Sequence, residues 1–319
     1  MNPHDSPPSS RHLPPDVWIP AALHYGRLME SGGLRYAVFG SAAMAAHGAL
    51  VRPTIDIDFV AEDYGGSVGL MKEQPGLCSS NLERDADNIQ VADFHFTGGI
   101  NVQIWDNNLY SLYMTDESWG RTVAGMLSDG EAISSVSIED LIVSKAGRYV
   151  PYRFYDPKEV QKSVADVVAA METAENPDLE YVVRRMMEGA RRALPQGKIY
   201  PIDWFFVREA ESCIQLARAQ GYTRAKKFVF DVLSGLCTAS SEYFLLYSLR
   251  EEGSVSRFQK KFDMDDGFLQ NVLGRWKDVV AIDGDVASAS HASIRRYTQG
   301  LPGSKSSEYA RGLAGTRGG

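Results

Sequence analysis

The chain has 319 residues, of which 44% are hydrophobic and 23% charged; this is enough to bury the core of one large or two ordinary domains, and too apolar for a disordered chain. Its net charge of −8 excludes a general basic field, so a polyanion must be met by a local patch or through metal ions. Cys78, Cys213 and Cys237 are widely spaced with no CxxC, and no apolar run approaches the ~18 residues of a membrane helix; a reducing, cytoplasmic setting without a membrane partner is expected.

The opening "MNPHDSPPSSRHLPP" lacks a signal-peptide core and reads as a disordered arm, residues 1–15. In "DVWIPAALHYGRLMESGG", Trp18, Ala22, Tyr25, Leu28 and Met29 recur at helical spacing, with Asp16 as cap and Gly32-Gly33 as stop. "LRYAVFG" is a short apolar strand ending at Gly40, and "SAAMAAHGAL" a small-residue helix with Ser41 as its cap. "RPTIDIDFVAE" is a second strand, with Pro53 at its start, where a missing N–H is tolerated. Residues 61–90 are polar and read as loop or weak helix.

"IQVADFHF" and "INVQIW" flank the turn "TGG", so a hairpin from Ile89 to Trp105 is expected. "SIEDLIVSKAGRY" and "DPKEVQKSVADVVAAMETA" read as helices, the second opened by Asp-Pro. From about residue 176 the periodic segments are helical: "WFFVREAESCIQLARAQ", "AKKFVFDVLSGLCTASSEYFLLYSL" and "DGFLQNVLGRWKDVVAI". Residues 300–319 are rich in Gly and Ser and read as a flexible tail. The fold class that follows is α+β: a mixed β-sheet with flanking helices, then a mostly α-helical C-terminal domain over 173–299.

Within "TIDIDFV", strand alternation sets Thr54, Asp56 and Asp58 on one face, with the two acidic Cα atoms about 6.5–7 Å apart. Side by side and without a cation, these carboxylates would repel one another. They suit one or two Mg²⁺ ions, which in two-metal sites stand about 3.5–4 Å apart. Before them come a strand, the tight turn at Gly40-Ser41, and a helix start whose N–H groups and dipole favour phosphate. In this order the parts suit a nucleoside triphosphate with magnesium.

The stretch "FGSAAMAAHGALVRPTIDIDFV" resembles the signature of the DNA polymerase β-type nucleotidyltransferases, and "R-P-T" before the acids is similar to the form in AbiEii-like and other minimal members. "VSIEDLIVSKAGRY" looks like their E-D-L-I-x-x-K helix, and "KSVADVVAAM" resembles a K-D-x-x-D segment. The resemblance spans about residues 34–172 and implies a nucleotidyltransferase-like domain over 16–172. It also implies transfer of a nucleoside monophosphate from an NTP. On it, Gly40 and Ser41 would contact the triphosphate, Asp56 and Asp58 would bind Mg²⁺, and Lys145 would neutralise phosphate charge. Arg52 and Thr54 would support the site, Arg52 alternatively pairing with Glu62 at the surface. Asp166 would orient Lys162 or Lys145, or face solvent, the reading favoured here.

One position departs from that pattern. The superfamily usually takes a third carboxylate from a later strand, as metal ligand and base, and Gln103 stands where it is expected. An amide cannot accept a proton. Asp93 on the partner strand or Asp106 at the strand's end would substitute, depending on a register that the sequence leaves open; otherwise the site is weakened or inactive. His47 reads as a half-buried helix histidine rather than a base, and the aromatic run "NNLYSLYMTDESW" as packing rather than a base platform. Arg184, Arg185, Arg191 and Arg192 in "RRMMEGARR" would form a cationic helix face able to meet RNA or tRNA phosphates.

Nucleotidyl transfer to a hydroxyl on RNA, a protein or a small molecule is therefore the leading reading. The alternatives are a degenerate fold that only binds nucleotide or RNA, and a scaffold adapted to aminoacyl-tRNA.

Overall fold

The computed structural model describes residues 12–84, 90–110, 112–128, 130–152, 157–192 and 203–301, with the side chains of 84, 148–152, 189–192 and 203–204 left aside. These residues form two compact units. The first, up to Arg148, contains α1 (Pro15–Ser31), β1 (Tyr36–Val38), α2 (Gly40–Ala46), β2 (Ile57–Ala61), α3 (Tyr64–Lys72), β3 (Leu77–Arg84), β4 (Gln90–Phe96), β5 (Asn101–Asp106), β6 (Asn108–Leu109), β7 (Leu112–Tyr113), α4 (Asp116–Gly120), β8 (Val123–Ser128), β9 (Glu131–Ser135) and most of α5 (Ile138–Tyr152).

Seven of these strands make one mixed sheet in the order β3-β4-β5-β2-β1-β9-β8. β2 is parallel to β5 and antiparallel to β1, and β1 is parallel to β9. All five β2 residues are buried, as fits a strand at the sheet's centre. Small residues let α2 lie close to the sheet. A Cβ on Gly125 of β8 would come within 2.6 Å of the Ala46 Cβ, so the helix and strand approach nearer than any side chain there would allow. Trp18, Ala22, Tyr25 and Met29 make the buried stripe of α1, in the expected 3.6-residue rhythm.

Several local expectations are corrected. Helix α1 starts at Pro15, and its N-cap, Pro14, makes no side-chain cap, so Asp16 is a first-turn acid favoured by the helix dipole. Of the arm, residues 1–11 lie outside the described residues, but Leu13 is buried and pairs with Thr54 through hydrogen bonds of 2.6 and 3.0 Å. β2 begins at Ile57, so Asp56 precedes the regular strand. The stretch read as loop or weak helix holds α3 and the edge strand β3, whose residues Cys78–Glu83 are exposed on both faces and so show no apolar alternation.

The second unit starts at Tyr149 and takes α6 (Pro157–Thr173), α7 (Leu179–Arg192) as far as Ala190, α8 (Asp203–Gln220), α9 (Arg224–Leu236), α10 (Ala239–Glu252), α11 (Val255–Phe262), α12 (Asp266–Arg275), β10 (Ala281–Asp283), β11 (Val286–Ser288) and α13 (His291–Gln299). Helix α6, grouped by the sequence with the first domain, packs its apolar face on α8 and α9. Cys237, in the left-handed region at φ 45°, ends α9, and Thr238 with Ser241 caps α10 in reciprocal hydrogen bonds. The Phe230 ring meets Phe258, Phe262 and Phe268 at 6.2, 5.4 and 5.2 Å, the heart of this helical core. The β10–β11 hairpin interrupts this unit, which is mostly helical as expected. The expected tail lies outside the described residues from 302 onward. No helix among the described residues is long and apolar enough to cross a membrane.

Candidate active site

The chain turns from β1 into α2 through Phe39 and Gly40. Phe39 donates its backbone N–H to the Asp58 carbonyl at 3.0 Å, which fastens the turn to β2. Gly40 sits at φ +65°, the left-handed region where a side chain is strained. A Cβ at Gly40 would lie 2.1 Å from Oδ2 of Asp58. Both the backbone and the neighbouring carboxylate therefore demand glycine. Asp58, only 3% exposed, is seated against the first turn of α2, where the positive end of the helix offsets part of its desolvation. Phe39 takes the N-cap position and makes no side-chain cap, so Ser41 is a half-buried first-turn residue rather than the expected cap.

Sheet register settles what the sequence left open. Asp58 lies opposite Gln103 of β5, Gln103 opposite Asp93 of β4, and Asp93 opposite Asn81 of β3. Side chains in register share a face, and alternate positions return to it. Asp58, Asn101, Gln103, Trp105, Asp93 and His95 thus line one face, while buried Ile57, Phe59, Val102, Ile104, Ala92 and Phe94 fill the other. Gln103 Nε2 donates to Asp93 Oδ1 at 2.6 Å. Asp106 is on the opposite face, in register with Ala61. It accepts from Gln90 Nε2 at 3.2 Å, and burial pushes its carboxyl up.

Asp56 is half-buried, two positions before Asp58. The Thr54 hydroxyl is 3.0 Å from the Asp56 carbonyl and 3.5 Å from its Oδ1, and Thr54 is itself anchored to Leu13. The Arg52 carbonyl accepts from Trp18 Nε1 at 3.0 Å. Glu62, the alternative surface partner of Arg52, pairs with Arg35 at 3.4 Å.

Helix α5 opens with the Ser137 Oγ accepting the Asp140 N–H at 3.1 Å. Just before it, Val136 donates its N–H to the Val38 carbonyl at 3.1 Å. His47, at the end of α2, has Nε2 2.8 Å from the Val136 carbonyl, and burial holds its pKa below the usual 6.5. A neutral ring that donates to this carbonyl pins the end of α2 to the β9–α5 junction. Lys145 on α5 is buried, 3% exposed, and is not an ordinary solvated lysine.

Other expectations are overturned. Asp166, favoured as a solvent-facing residue, is buried in α6 of the second unit, and Lys162 pairs with Glu159 at 3.7 Å. Arg185 is 1% exposed, 3.2 Å from a Glu188 oxygen and over the Tyr181 ring. Arg184 pairs with the same glutamate at 4.0 Å. Neighbouring positions point about 100° apart on a helix, so the expected cationic face does not form through both. The side chains of Arg191 and Arg192 lie outside the described residues.

Tyr110, from the aromatic run expected to serve packing, joins an aromatic cluster beside the acidic row whose other members, Phe39 and Trp105, the sequence reading did not single out. Phe39, Trp105 and Tyr110 meet edge to face, with centroids 5.0–5.8 Å apart. The signal was present: Trp105 is two positions beyond Gln103 on the same strand face.

Among the described residues, no group of three or more His, Cys, Asp or Glu side chains is placed to hold a metal ion. Two carboxylates are present instead. Mg²⁺ binds through one or two carboxylates with water and substrate phosphates completing its shell, so the oxygen donors of Asp56 and Asp58 fit it.

No family model matches the chain, and no curated protein does. Solved structures similar to it include an antigenic nucleotidyltransferase-like protein from Paracoccidioides brasiliensis, 13% identical over 66% of this chain and 95% of that one, with a TM-score of 0.43. The antibiotic-resistance factor ANT(2'')-Ia is 14% identical over 65% of this chain and 97% of its own, with a TM-score of 0.36. A Thermotoga maritima CCA-adding enzyme complexed with tRNA is 12% identical over 95% and 83%, with a TM-score of 0.24. These likenesses are loose, and the site stands on its own geometry.

Proposed function

We propose that this protein is a Mg²⁺-dependent nucleotidyltransferase that moves a nucleoside monophosphate from an NTP to a hydroxyl acceptor. The observation that carries this is the Asp58 carboxylate pressed against a left-handed glycine, where no other residue fits. Without a side chain at Gly40, the Asp58 carboxylate packs directly on the turn, so a ligand held by the acid also comes within reach of the turn's backbone. Asp56 and Asp58 would hold Mg²⁺, which would supply positive charge against the triphosphate at the acids. The turn at Gly40 and Ser41 positions the phosphates, with Thr54 and Arg52 bracing the chain around Asp56. Lys145 supplies positive charge to the site.

The reaction forms a bond from the acceptor oxygen to the α-phosphorus and breaks the bond to the β-phosphate bridge, releasing pyrophosphate. The acceptor's proton goes to Asp93. Its backbone is two strand spacings from that of Asp58, about 9.6 Å, too far to share a metal with it but suited to an acceptor lying across Gln103. The Gln103 amide holds Oδ1 and leaves the other oxygen for the proton. Gln103, at the register beside Asp58, also favours a second reading, a degenerate fold that binds nucleotide without transferring it.

Incubation with labelled NTPs, Mg²⁺ and total RNA or lysate tests the proposal. Label transfer that disappears in Asp58→Asn supports it. NTP binding without transfer in any mixture selects the second reading.

A further inference from the structure

We infer that the helical unit carries a binding site for single-stranded nucleic acid, built on the stacked pair Tyr243 and Tyr247 of α10 and the arginines of α8 and α13 beside it. The two rings lie one helical turn apart, nearly parallel at 16°, with centroids 6.0 Å apart. They remain 39% and 37% exposed. The Arg250 guanidinium lies 5.7 Å over the Tyr247 ring, and the His291 ring is 5.6 Å from it. Tyr243 borders a cavity of about 430 Å³, walled also by Arg208 of α8, Phe244 of α10 and Thr298 of α13. That volume lies in the usual range for small-ligand pockets.

Helix α13 also borders a second cavity, of about 620 Å³, lined by His291, Arg295 and Arg296. Among the described residues neither cavity is lined by a carboxylate, although the chain as a whole has a net charge of −8. Glu242 of α10 points inward, bound to Arg275 and Trp276. Arg295 and Arg296 are exposed and have no ion-pair partner among the described residues.

Exposed stacked rings near the exposed Arg295 and Arg296 select a ligand that is both flat and anionic. A base stacks on tyrosine whatever its identity, and the following phosphates meet the arginines. An acidic peptide would use the cations and leave the rings idle. A base in the Tyr243 cavity with its neighbours running along α13 uses both. This site does not rest on nucleotidyl transfer and is read without NTP.

The experiment is fluorescence anisotropy of labelled oligo(U), oligo(A) and oligo(dT), about 12 nucleotides long, against the full chain across a salt series. Wild type is expected to bind at about 50 mM salt. Tyr243→Ala with Tyr247→Ala should weaken binding tenfold or more, as expected for lost stacking, while Tyr243→Trp keeps it. Arg295→Ala with Arg296→Ala should lower the slope of log affinity against log salt by about 1.4, two contacts at about 0.7 each on single strands. The RNA-to-DNA ratio identifies which strand the site takes. No binding at low salt overturns the inference, as do oligonucleotide affinities unchanged in the folded tyrosine variant. If that variant does not fold, an unchanged salt slope in the arginine variant overturns it. Asp58→Asn should bind the oligonucleotides as wild type does, so this inference and the catalytic one fail separately.

Discussion

Asp58 of the sheet unit and Glu242 of the helical unit are both buried carboxylates, 3% and 1% exposed, set in opposite surroundings. Glu242 accepts from Arg275 Nη2 at 2.8 Å, Trp276 Nε1 at 2.5 Å and the Tyr297 hydroxyl at 3.3 Å. Donors from the end of α12 and from α13 converge on it and tie those helices to α10. Asp58 leans on a glycine turn at the end of a polar row that runs through Gln103 to Asp93. Burial alone therefore does not identify a site acid. Glu242 is a strut between helices, whereas Asp58 packs against the backbone of a glycine turn.

The comparison is broken most easily at Asp58. Asp58→Asn is expected to cut label transfer about a thousandfold or more, the scale of losing a charge that acts on the transferring phosphate, with a thermal midpoint close to wild type. Comparable loss of stability would make Asp58 a second strut. Asp93→Asn should slow transfer about a hundredfold, within the range of a general base, and steady-state kinetics should place the loss in kcat rather than KM. Glu242→Gln should do the reverse of Asp58→Asn. It should cost about 2–3 kcal/mol by chemical denaturation, a buried pair discounted because Arg275 is partly exposed, and leave transfer per folded molecule unchanged.

The smallest effect concerns pH. Burial holds His47 below its usual 6.5, so the unfolded chain takes the proton first as pH falls. Its contribution to stability is complete above about 6.5 and is lost as the pH drops toward its folded value. His47→Gln, which still offers a donor to Val136, should flatten that part of the pH–stability curve measured by thermal melts.

How much was legible in the sequence follows from what each element leans on. β1, α2 and the hairpin of β4 and β5 announced themselves through apolar runs and turn glycines. β3 was hidden because an exposed edge strand needs no apolar alternation. β8 and β9 drew no reading, although β9 is the parallel neighbour of β1. The side of the sheet taken by Asp93 could not be read, since one residue of slip reverses it; the observed register with Gln103 decides it. The burial of Lys145, Asp166 and Arg185 was equally out of reach, because each depends on neighbours distant in the chain.

The most direct test of the central claim is calorimetric titration of a non-hydrolysable NTP with and without Mg²⁺, in wild type and in Asp58→Asn. Affinity in the wild type should rise with Mg²⁺, and the variant should lose most of that rise. Equal affinity in Mg²⁺ and in chelator, or a magnesium effect that survives the substitution, would contradict the account.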